Sequence, residues 1–168
     1  MTRLIARAVE RAGPGEPARV PPTDRVVLDY EGRFLRRKTL TTAGGTPLFV
    51  DLAETLSLAD GDAFVTETGA RIEVEAAAEP LLEIHGSPHA LARLAWHIGN
   101  RHMPAQIEPS RILIQENHVM ADMLARLGAH THHVSEPFRP EGGAYGHGRT
   151  QGHHHGGATD DPHGHIHD

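Results

Sequence analysis

Thirty-five of the 36 Leu, Ile, Val and Phe residues in this 168-residue chain lie within residues 1–138. The last thirty residues hold only Ile166, among eight glycines and seven histidines. Burial of apolar surface is what offsets the entropy of ordering a chain. A core can therefore form in residues 1–138, whereas residues 139–168 are expected to be a disordered Gly/His-rich tail. Cysteine is absent, which excludes disulfides, thiolate zinc fingers and cysteine nucleophiles. A net charge of -6 argues against nucleic acid as a partner, because phosphate binding needs a basic surface. No apolar run approaches a membrane span, and the first residues lack a signal-peptide pattern, so a soluble, cytoplasmic protein is expected.

Two textures divide the body. Residues 1–25, with Pro14, Pro17, Pro21 and Pro22, read as a poorly ordered leader that holds at most a strand at Leu4–Val9. Short β-like runs follow at Val26–Tyr30, Gly32–Leu40, Leu48–Leu52, Ala63–Thr66 and Arg71–Ala76, each bounded by turn formers. Strands at this spacing predict a small all-β domain over 1–77, built as a sandwich or barrel. The charged run Arg33–Leu40 predicts a solvated edge strand. Asp60 and Asp62 fall in a turn and read as solvated charge.

From residue 78 the spacing becomes mixed. Leu81–His85 reads as a strand, and Ser87-Pro88 is a helix start. Leu91, Leu94, Ala95 and Ile98 then make one apolar stripe, which Gly99-Asn100 is expected to close. Ile112–Gln115 is a strand, Asn117 caps a second helix, and Gly128 ends it after Met120, Met123, Leu124 and Leu127. With short strands at Ala105–Ile107 and His130–Phe138, residues 78–138 have the order βαββαβ of a ferredoxin-like domain. The fold class expected is α+β.

Fifteen histidines are the largest departure in composition. His147, His153, His154, His155, His163, His165 and His167 stand in the tail. Clusters of this kind bind divalent metals, since neutral imidazole is a good ligand and glycine lets the chain wrap an ion. Without thiolates the set suits nickel, copper, zinc and cobalt alike, and intrinsic affinity alone favours copper. Imidazole ligates only when neutral, so metal binding is expected to weaken between about pH 7 and 5. In the body, His102 follows the first helix and His118 opens the second. His130 and His132 share a strand face, where they read equally as a chelating pair or as polar edge residues, and His133 points to the other face. His85, His89 and His97 read as ordinary surface or packing residues. No His-Glu-x-x-His pair, phosphate-binding loop or nucleophile elbow is present, so no enzyme is expected.

The run Trp96-His-Ile-Gly-Asn-Arg-His102-Met-Pro-Ala-Gln-Ile107 resembles the central signature of the UreE family of urease accessory proteins. Asn117–Gly128 and Phe138–Gly146 are similar too, and the likeness spans roughly residues 25–168. The resemblance implies a nickel metallochaperone, and a homodimer in which His102 of the two copies shares one nickel ion. Tail histidines would complete or feed that site. Urease and other urease accessory proteins, including a GTPase, are the implied partners. Some relatives carry two histidines around the start of the second helix; here Glu116 takes one position and His118 the other. A passive nickel or zinc storage protein is the alternative that the residues leave open.

Overall fold

A computed structural model describes residues 2–13 and 20–142. The tail histidines, and the disorder expected of the tail, lie outside the described residues. Strands β1 (Leu4–Glu10), β2 (Asp24–Leu28), β3 (Phe34–Thr41), β4 (Pro47–Ser57), β5 (Ala63–Thr66) and β6 (Arg71–Ala76) form one sheet in the order β2-β6-β5-β1-β4-β3. The sheet is mixed, with β1 parallel to β4 and β2 parallel to β6. It curls over its own core of Val26, Leu48, Val50, Phe64, Ile72 and Val74. The all-β domain is as expected, but in place of a sandwich or barrel it is a single curled sheet, whose parallel pairs join segments distant in sequence.

The strand expected at Leu4–Val9 is present as β1 and is more than a leader's fragment. β1 sits inside the sheet between β4 and β5, with Ala6 fully buried. Asp62 holds the chain beyond it. This carboxylate is 2% exposed and accepts from Arg11 Nη1 at 2.8 Å, Ala12 N–H at 2.9 Å and Ala59 N–H at 2.8 Å. It is a buried acceptor, not solvated charge. Asp60 likewise accepts from Ala76 N–H at 2.7 Å. β3 is the edge strand that its charge predicted, although a 3-10 turn at Glu31–Arg33 delays its start to Phe34.

The second sheet comprises β7 (Ala78–His85), β8 (Gln106–Ile107), β9 (Arg111–Gln115) and β10 (His130–Pro137). Its order is β10-β7-β9-β8 with every pair antiparallel, and α1 (Pro88–Asn100) and α2 (His118–Arg126) supply the crossovers. This is the expected βαββαβ ferredoxin-like arrangement. Both helices cover one face, where Leu82, Ile84, Ile112 and Ile114 pack on Leu91, Leu94, Ile98, Met120 and Leu124. Alternation along the strands sends Leu81 and Leu113 to the other face, against Tyr30 and Phe138.

That last cluster joins the two sheets. The Tyr30 and Phe138 rings meet edge-to-face at 5.3 Å, and the buried Arg33 guanidinium donates to the carbonyls of Leu28 and Phe138. Glu79 accepts from Tyr30 N–H at 2.8 Å and from Gln115 Nε2 at 3.0 Å.

Candidate metal centre

The helix carrying His102 is defined at both ends. The Ser87 side chain accepts from Ala90 N–H at 3.2 Å, and Pro88 occupies the first turn, where its missing N–H costs nothing. At the far end Met103 N–H donates to Ile98 O at 3.4 Å and His102 N–H to Gly99 O at 3.0 Å. Those two bonds, with Ile98 and Met103 in one apolar cluster, make a Schellman cap in which His102 is the left-handed residue, at φ 56°. The helix ends at Asn100 as expected, but the left-handed residue that closes it is His102, not Gly99 or Asn100.

α2 ends the same way. Ala129 N–H donates to Leu124 O and Gly128 N–H to Ala125 O, both at 3.0 Å, and Gly128 has φ 77°. One motif is thus used twice, once with glycine and once with histidine. Among the described residues His102 is the only non-glycine at positive φ. Left-handed backbone costs an L-residue roughly 1–2 kcal/mol, so the cap itself gives no reason for an imidazole there. The His102 side chain is exposed.

The start of the tail is fastened close to it in sequence. Glu141 N–H donates to Ala105 O at 2.8 Å, and Arg139 N–H to Gln106 Oε1 at 2.8 Å. The Arg139 guanidinium pairs with Asp60 Oδ2 at 3.0 Å. Residues 138–141 therefore run beside the segment only three or four positions beyond His102.

His118 is exposed in the first turn of α2, where Asn117 caps by accepting from Val119 and Met120 N–H at 2.9 and 3.1 Å. It borders an open groove of about 640 Å³ together with Glu116 and His133. Glu116 Oε1 lies 2.5 Å from His133 Nδ1. The sequence pairs Glu116 with His118, whereas the fold pairs it with His133. The signal was the phase of His133, which faces away from His130 and His132.

His97 stacks edge-to-face on Trp96 at 5.0 Å, and Trp96 is 65% exposed. Among the described residues, no three His, Asp or Glu side chains converge as a ready metal site.

A tight charge cluster stands on the sheet face away from the helices. Arg111 pairs with Glu83 at 2.5 Å, Glu108 at 2.7 Å and Glu136 at 2.9 Å. The Arg111 hydrogen bond, and then that of His85, holds the Glu83 carboxyl below the usual carboxylate range. A lowered folded-state pKa stabilises the fold above the unfolded value, and that contribution is lost as pH falls through the folded one. Arg111→Met is therefore expected to cost more stability at pH 7 than at pH 3, measured by urea denaturation at both.

The family models agree on both halves of the chain. The model described as the UreE urease accessory protein N-terminal domain matches residues 3–77, and that of the C-terminal domain matches residues 79–168. A urease accessory protein UreE of Ruegeria pomeroyi is 60% identical over 132 residues, covering 79% of this chain and 87% of the relative. The Paracoccus denitrificans protein of the same name is 61% identical over 125 residues, 74% of this chain and 79% of its own. That of Rhodobacter capsulatus is 55% identical over 133 residues, 79% and 83% of the two chains. With both halves matched and such identity over most of their length, the chain belongs to the family of UreE urease accessory proteins.

Proposed function

We propose that this protein is a nickel metallochaperone, which binds Ni²⁺ and donates it while the urease metal centre is assembled. The observation that carries the reading is the exposed His102 at a left-handed position where the sister helix has glycine. Strain kept at a solvent-facing imidazole points to a function for that side chain. In this reading His102 of two copies share one ion in a homodimer, and the exposed indole of Trp96 supplies apolar surface on the same helix. The two halves, 1–77 and 78–138, act as separate domains, with the nickel site on the second.

His147, His153, His154, His155, His163, His165 and His167 gather the ion and complete its shell. His147 lies six positions beyond the fastened Glu141, a reach of up to about 20 Å. His118 is an auxiliary ligand. Transfer is ligand exchange, with no covalent bond made, so the protein is not an enzyme. Nickel is its cargo, and Cu²⁺, Zn²⁺ and Co²⁺ compete for imidazole. The partners are urease and other urease accessory proteins, including a GTPase, in the cytoplasm. Neither nucleic acid nor a membrane takes part; among the described residues no helix is long and apolar enough to cross one.

The test is activation of apo-urease, mixed with its accessory proteins and limiting nickel. Wild-type protein should raise the active fraction and His102→Ala should not. Equal activation by both, or none by the wild type, overturns the reading.

A further inference from the structure

We propose that His85, His130 and His132 form a second site for a late first-row divalent metal ion, separate from His102. The site lies on the face of the second sheet that the helices leave open. The ladder register assembles it: His130 stands directly opposite His85, and His132 opposite Glu83. Opposed residues of an antiparallel pair put their side chains on the same face, with Cβ atoms about 4.5–5.5 Å apart. The diagonal partners His85 and His132 already have ring centroids 6.0 Å apart. All three histidines are exposed, and β10 is the edge of its sheet, so an ion and its water can approach.

The Glu83 carboxylate sets the tautomer of His85. His85 Nε2 lies 2.6 Å from Glu83 Oε1. A carboxylate oxygen accepts, so in this contact His85 donates from Nε2. In the neutral ring, Nδ1 then keeps its lone pair. Metal-binding histidines have this arrangement, in which a carboxylate takes the N–H of the other ring nitrogen and fixes the ring.

Charge favours a cation too. Glu83, Glu108 and Glu136 share the single guanidinium of Arg111, which leaves the cluster beside His85 with a formal excess of two negative charges. Convergence of the rings needs only side-chain rotations at the surface, since the backbone placement is set by the ladder. Three imidazoles with water in the fourth position are a donor set that late first-row divalent ions accept.

The experiment follows the imidazole ¹⁵N resonances of the full-length protein as zinc chloride is added. The expected result is a coordination shift at His85, through Nδ1, and at His130 and His132. The shifts should persist in His102→Ala, so a failure at His102 and a failure here are distinguishable. In His85→Ala/His132→Ala, with an otherwise unchanged amide spectrum, the His130 shift should vanish. Rings at 85, 130 and 132 that stay unshifted while His102 and the tail saturate overturn the proposal. Persistence of the His130 shift in the double variant overturns it as well.

Discussion

His102→Gly is expected to melt a few degrees higher than wild type while losing the nickel site. Glycine adopts φ near +60° without a Cβ penalty, whereas histidine carries roughly 1–2 kcal/mol of strain there. The flexibility glycine adds to the unfolded chain returns roughly 0.5–1 kcal/mol of that. The net gain is about 0.5–1 kcal/mol at the middle of these ranges, a rise of about 1–4 °C for a chain of this size. Loss of the imidazole removes a ligand from each copy of the proposed dimer. Nickel affinity should drop by more than the roughly 10–100-fold that loss of a second-sphere partner costs.

His102→Ala separates the two effects. Alanine keeps the Cβ and most of the strain, so this variant should lose nickel without gaining stability. Calorimetry of unfolding and of nickel binding on the three proteins reads both quantities. A glycine variant no more stable than wild type would remove the argument from strain. One that binds nickel unchanged would remove His102 from the site.

The same position shows how far sequence carried the reading. Apolar spacing placed both helices, and the Ser87 and Asn117 caps gave their starts, because these are local signals. The end of α1 at Asn100 was legible but its left-handed residue was not, because Gly99 tolerates a left-handed turn without demanding one. What sets the turn is where Ile98 and Met103 enter the core, and that depends on the sheet beneath. β1 was legible as a strand, but its place inside the sheet was not, for a similar reason. Its parallel partner β4 begins over forty residues away, and no adjacent turn announces the pairing. His85 looked ordinary until the register set it opposite His130. The gathering of residues 138–141 beside the His102 segment was likewise invisible, since it depends on Arg33, Asp60 and Gln106 from three separate stretches of the chain.

Phe138→Ala is expected to have the largest cost to the fold. The ring is fully buried between the sheets, against Tyr30, Leu81 and Leu113. Truncation of such a ring removes about 3–5 kcal/mol, partly from lost burial and partly from the cavity left behind. At about 2–4 °C per kcal/mol, the melting point should fall by roughly 6–20 °C. Phe138→Leu fills most of that space and should cost far less. The substitution also loosens the strand end from which the tail departs, where Arg33 holds the Phe138 carbonyl and Arg139 pairs with Asp60. If that fastening directs the tail histidines toward His102, Phe138→Ala should weaken nickel binding at temperatures where the protein remains folded. His102→Ala/Phe138→Ala should then bind nickel no worse than His102→Ala alone, because the ring acts on the metal only through the placement of the tail. Additive losses in the double variant would show instead that Phe138 supports the metal by some route other than the His102 site.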